Sequence, residues 1–156
     1  MYKNLAATLV AACVAASSFA QSSATPPAPS PSPTKAAFVY VTPVLPAGWT
    51  RQHEEGRLQL ERALGAQVQT VAVDNVPESA DAERVIRDLA AQGNDIIFTT
   101  SFGYMEPTLR VAQEFPNVKF EHITGYKQTA NVTNANARYY EGRYLSGIAA
   151  GRMSES

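Results

Sequence analysis

Three short stretches of the 156-residue chain concentrate side chains suited to recognising a small molecule. Thr42-Pro-Val-Leu-Pro-Ala-Gly-Trp-Thr50 carries the only tryptophan, Trp49, beside Thr50. Ser101-Phe-Gly-Tyr-Met-Glu106 brings Ser101, Phe102, Gly103, Tyr104 and Glu106 together, and Thr124-Gly-Tyr-Lys127 adds Tyr126. Aromatic faces stack on a flat ligand, while a glycine and the free N–H groups of a following helix hydrogen-bond its polar rim. The combination suits a planar heterocycle. Packing of Trp49, Phe102 and Tyr104 between loops and core is the competing reading of the same composition.

Catalytic chemistry finds no comparable support. His53 and His122 are the only histidines, one in a predicted helix beside Glu54 and Glu55, the other ending a strand next to Glu121. They read as surface or strand-end histidines making ordinary hydrogen bonds. No H-E-x-x-H, G-x-S-x-G, Walker A or G-x-G-x-x-G pattern occurs, so neither an enzyme nor a cofactor is expected. Lys plus Arg at 13 against Asp plus Glu at 14 leaves a net charge of −1 without a basic cluster, which argues against nucleic acid as a partner.

The elements that must position these loops alternate in type. Phe38–Thr42, Val68–Val73, Asp95–Thr100 and Val118–Ile123 are short apolar runs with strand character, and residues 131–137 form a weaker fifth. Between them, Gly56, Leu60, Ala63 and Leu64 share one helical face, and Ala82, Val85, Ile86, Leu89 and Ala90 share another, with Ser79 as its N-cap. A third helix starts near Glu106-Pro107 and stops before Pro116; a fourth runs from about Tyr140 to Met153. This alternation predicts an α/β fold with a mainly parallel sheet and helices on both faces. Ligands of such sheets meet the loops at the carboxyl ends of the strands, where all three recognition stretches fall. On the last helix Arg138, Tyr140, Glu141 and Arg143 form either a polar cluster near those loops or a solvated face.

Hydrophobic residues at 45% and charged residues at 17% fit a globular chain, and residues 35–156 are enough for one domain. The preceding segment reads differently. Lys3 and the uncharged run Leu5–Ala16 form a secretory leader, too short to span a bilayer. Cleavage after Ala20, giving a signal peptide of 1–20, competes with a lipobox ending at Cys13 and a lipid anchor there. Residues 21–34, rich in Pro and Ser, form a linker: a tether that lifts the domain off a membrane, or a spacer without consequence. A periplasmic or extracytoplasmic location is expected, with membrane contact only through that lipid. The rest of the chain has no cysteine, which excludes disulfides and thiolate metal sites there.

Six segments in order, Phe38–Pro43, Ala47–Thr50, Ala80–Gly93, Phe98–Pro107, Phe120–Lys127 and Tyr140–Gly147, resemble the N-terminal half of the BMP (basic membrane protein) family, solute-binding proteins of bacterial ABC importers. The resemblance covers nearly all of 35–153. It implies one Rossmann-like lobe of a periplasmic-binding-protein type I fold, a purine base or nucleoside as ligand, and an ABC permease as partner of the complete receptor. It also implies ligand contacts by Trp49 and by Ser101, Phe102, Gly103 and Tyr104. Glu106 is implied as an acceptor for ribose hydroxyls, with capping of the third helix as the alternative role. Two departures stand out. Leu45-Pro46 replaces an acidic position that relatives often carry before Gly-Trp, and the second lobe is expected to be absent because the chain stops at Ser156.

Overall fold

The computed structural model describes residues 32–154. The leader, Cys13 and most of the Pro/Ser-rich stretch lie outside these residues. Five strands, β1 (Thr34–Val39), β2 (Val68–Val73), β3 (Ile96–Thr99), β4 (Lys119–Ile123) and β5 (Val132–Ala135), form one parallel sheet in the order β2-β1-β3-β4-β5. Helices α1 (Trp49–Leu64), α2 (Ala80–Ala91) and α3 (Met105–Glu114) make the first three crossovers, and α4 (Tyr139–Met153) follows β5. The α/β architecture expected from the alternating pattern is the one observed.

Alternate residues of β1 face opposite sides of the sheet, and each side has its own core. Ala37 and Val39, with Ile97, Phe120 and Val132, pack against Ala82, Ile86, Leu89 and Ala90 of α2 and Val111 and Ala112 of α3. Ala36, Phe38 and Tyr40 pack on the other side against Leu60 of α1, with Phe38 stacked on Phe98 at 4.6 Å. Coverage is therefore unequal. Two helices close the first face, whereas on the second Ile96 and Phe98 remain only half-buried, and α4 buries none of its residues.

Strand β1 begins about four residues earlier than its apolar run suggested, so Thr34 belongs to the sheet and not to the linker. Lys35, Ala36 and Ala37 have little strand propensity, but pairing of Thr34–Ala37 with Val68–Val71 on one side and of Ala36 and Ala37 with Ile96 and Ile97 on the other overrides it. The helix after β1 likewise starts at Trp49, so Trp49 and Thr50 occupy its first turn instead of a loop. Polar ties hold the elements in place. Arg57 of α1 pairs with Glu54 at 2.6 Å and Glu61 at 2.8 Å and donates to Thr70 of β2 at 2.6 Å. Ser79 caps α2 as expected, accepting from the Asp81 N–H at 3.2 Å. Asn131 donates through one amide nitrogen to the carbonyls of Ala112, Phe115 and Val118, closing the end of α3 onto β4.

His122 is not a surface histidine. It is fully buried in β4, its Nδ1 shares a 2.9 Å hydrogen bond with Thr99 Oγ1, and its Nε2 has no hydrogen-bond partner among the described residues. Gly125 closes over the ring so tightly that a Cβ there would lie 2.1 Å from His122 Cδ2. Burial lowers the imidazole pKa, only partly offset by a hydrogen bond with the Thr99 backbone, and half-buried His53 is lowered by burial too. The unfolded chain therefore takes up these protons first as pH falls through about 6.5, which pulls the equilibrium toward unfolding. The unfolding free energy from urea titration should drop between pH 7.5 and 5.5, by at most about 1.4 kcal/mol per pH unit per histidine. His122→Gln should reduce that slope, leaving the part due to His53, and a flat profile in the unsubstituted chain would contradict a neutral buried imidazole.

Candidate functional site

The strand order determines where a ligand can enter. From β1 the chain adds β2 on one side and then crosses back to place β3 on the other, so the loops after β1 and β3 diverge toward opposite faces. A crevice opens between them at the carboxyl ends of the strands. A cavity of about 420 Å³ occupies this position, lined by Trp49, Ser101, Phe102, Thr124, Asn136, Tyr139 and Arg143. The loops after β1, β3 and β4 thus meet at one edge, as their placement in the sequence requires. A smaller cleft of about 200 Å³ lies at the opposite end of the sheet, beside Lys35, Gln69 and Asn94, away from the carboxyl-end loops.

Trp49 stands at the start of α1 with 38% of its surface exposed. Its indole N–H donates to the Thr100 carbonyl at 2.6 Å, and the Thr100 hydroxyl donates to the Val39 carbonyl at 2.8 Å. The ring is thereby tied to the ends of both central strands. The rings of His53 and Tyr139 lie at steep angles to it, 72° and 61°, with centroids 4.6 and 5.7 Å away. Phe102 projects further, 57% exposed, with the ring of Tyr126 tilted 6.3 Å from it.

Other residues expected at the site serve the scaffold. Tyr104 is fully buried, and its hydroxyl donates to the Val76 carbonyl at 2.5 Å; burial, reinforced by the Glu78 charge, holds its phenol well above the usual range. Thr50 is buried as well and shares a 2.7 Å hydrogen bond with Thr42. Glu106 stands in the first turn of α3 and pairs with Lys127, whose ammonium pKa that carboxylate raises; neither residue lines the cavity. The helix-end role considered for Glu106 fits this placement.

Glu78, at the end of the β2–α2 loop, had no visible signal in the sequence. Its carboxylate accepts from the Ser101 hydroxyl and, at 2.9 Å, from the Gly103 N–H. A Cβ at Gly103 would lie 2.4 Å from Glu78 Cδ, so a larger residue there would push the Glu78 side chain out of this contact. The clamp holds the turn that presents Phe102. Across the cavity, Thr124 adopts φ 77°, unfavourable for a β-branched residue, and its N–H donates to the Ala135 carbonyl at 2.9 Å. Thr124, Asn136, Tyr139 and Arg143 were not among the residues expected to contact ligand, because their proximity to Trp49 depends on where β5 lies in the sheet. Among the described residues no group of three or more His, Cys, Asp or Glu could hold a metal ion.

Comparison with known proteins agrees with this geometry. A family model described as "ABC transporter substrate-binding protein PnrA-like" matches residues 33–156. The chain belongs to the Bmp family. It is 54% identical over 121 residues to a purine-binding protein of Brucella abortus, an alignment covering 78% of this chain and 35% of that protein. A candidate ABC transporter glucose-binding protein of Haloferax volcanii is 36% identical over 121 residues, covering 78% of this chain and 30% of the relative. The chain therefore spans about a third of the length of the curated relatives it matches. Among solved structures it resembles an ABC transporter solute-binding protein from Conexibacter woesei, with TM-score 0.62, 25% identity and coverage of 76% of this chain and 40% of that one. A transcriptional activator of the comK gene from Bacillus halodurans superposes with TM-score 0.59 at 26% identity, covering 78% and 41%. The family is one of substrate-binding proteins, and among the described residues no helix is long and apolar enough to cross a membrane.

If Glu78 holds the Phe102 turn, Glu78→Ala should speed amide exchange at Gly103 about fivefold or more while leaving the β1 and β3 amides protected. Unchanged exchange at Gly103 would assign the turn's order to the backbone alone.

Proposed function

We propose that this domain forms one wall of the ligand site of an extracytoplasmic ABC importer receptor, and that its ligand is a purine base or nucleoside. The observation that carries the reading is the placement of Trp49 and Phe102 on one cavity at the switch point of the sheet. Two aromatic rings on a polar-edged crevice suit a flat heterocycle better than a sugar ring with hydroxyls on every side. The name of the Brucella relative supports the same class. Export, through a leader ending at residue 20 or a lipid on Cys13, belongs to this proposal, as does an ABC permease partner for the complete receptor.

Tyr104 and Thr50 support the site from beneath, Gly103 and Ser101 shape it through Glu78, and Trp49 and Phe102 contact the base. Tyr126, 70% exposed next to Phe102, extends the aromatic wall. A sensing role without transport is the second reading. The likeness to a transcriptional activator of Bacillus halodurans favours it, and it uses the same aromatic wall. Neighbouring permease and ATPase genes would support transport, and their absence would support sensing.

Stacking contributes about 1–3 kcal/mol per base, so one wall alone should bind purine nucleosides only at millimolar concentration. Titration of the full chain should quench Trp49 fluorescence in that range, and Phe102→Ala should weaken the response about fivefold or more. Quenching by glucose but not by nucleosides would overturn the purine assignment.

A further inference from the structure

The polar groups around the cavity are unequal in what they still have to offer. The Ser101 hydroxyl proton is committed to Glu78 and that of Thr124 to the Ile123 carbonyl at 2.5 Å. The Trp49 N–H is committed to Thr100. Asn136 uses its carbonyl oxygen to accept from the Ala137 N–H at 2.9 Å, which leaves its amide N–H groups as donors. Arg143, one turn into α4, makes no hydrogen bond or ion pair with any described residue, although Arg138 nearby is paired with Glu141. None of the described lining residues is acidic. The wall therefore presents a free guanidinium and a free carboxamide N–H₂ as donors and no carboxylate, while the Ser101 and Thr124 hydroxyl oxygens offer only acceptor lone pairs.

That asymmetry discriminates between purines. A 6-oxopurine shows two adjacent acceptors, N7 and O6, to which a guanidinium donates in bidentate fashion; a 6-aminopurine replaces O6 with an N–H₂ donor that would oppose the guanidinium. We infer that Arg143 is a specificity-determining residue that selects 6-oxopurines such as inosine over 6-aminopurines such as adenosine, by donating to N7 and O6 of a base stacked on the Trp49–Phe102 wall. This inference rests on the purine reading above and adds to it the identity of the substituent at C6. Asn136, on the same wall, supplies further donors to the base edge.

Inosine and adenosine share their ribose and nearly all of their stacking surface and differ at the group Arg143 would meet, so they form the test pair. Each is titrated into the full chain, with the Trp49 indole N–H resonance as readout. Inosine should bind about tenfold more tightly than adenosine, the lower range for one bidentate contact at an open site. Arg143→Gln should bring that ratio close to one, and Arg143→Lys, which keeps the charge without the fork, should restore little of it. Because α4 buries no residue, circular dichroism should show both variants folded. Adenosine binding as tightly as inosine, or a ratio unaffected by Arg143→Gln, overturns the role of Arg143 while leaving purine binding intact. Failure of both nucleosides to perturb Trp49 overturns the purine reading and the selectivity with it.

Discussion

The position of β1 between two parallel neighbours is the constraint on which the rest of the domain depends. A parallel strand needs a crossover to reach its neighbour, and right-handed crossovers in opposite directions place their helices on opposite faces. Helix α1 is thus separated from α2 and α3, and the carboxyl ends of β1 and β3 are left as the one place where the chain diverges. Trp49 and Phe102 sit on the two sides of that divergence. Their meeting at one cavity follows from strand order rather than from direct attraction between the two loops.

Holding the crevice open is the task of hydrogen bonds that link different loops. The indole of Trp49 reaches the end of β3, Thr100 reaches back to β1, and Glu78 gathers Ser101 and Gly103 from across the sheet edge. Each ties segments tens of residues apart, so the turn carrying Phe102 is positioned by its neighbours as much as by its own sequence. Their proton commitments also take the Trp49 N–H and the Ser101 hydroxyl proton away from the cavity, so that among its lining residues Arg143 and Asn136 keep free N–H donors.

The unequal covering of the sheet bears on how the domain works. The face under α2 and α3 is closed by apolar side chains and supported by the Arg87–Glu114 and Arg110–Glu83 pairs at its surface. On the other face α1 covers β1 and β2, and α4 exposes Tyr140, Tyr144 and Leu145. The relatives are about three times as long as the aligned region, so the cavity wall described here is one part of their chains.

Much of this organisation was legible in the residues themselves. Short apolar runs and period-3.6 apolar spacing, Ser79 at a helix start and Pro116 after a helix end encode local structure, and the alternation of strand and helix carries the parallel sheet with it. The sheet edge at which the cavity opens, and the aromatic residues near it, follow from that alternation. Which aromatics face the cavity was decided by contacts between distant segments: Tyr104 turns inward because the Val76 carbonyl waits 28 residues away, whereas Phe102, two positions earlier, has no such partner and turns outward. The same holds for His122, buried because β3 and β5 flank its strand, and for Lys35, Ala36 and Ala37, drawn into β1 by pairing with β2, and for the two alanines also with β3, against their own propensity. Spacing along the chain records what each element prefers by itself. Burial, proton commitment and the approach of Arg143 to Trp49 depend on strand register and order, and those exist only once the sheet has formed.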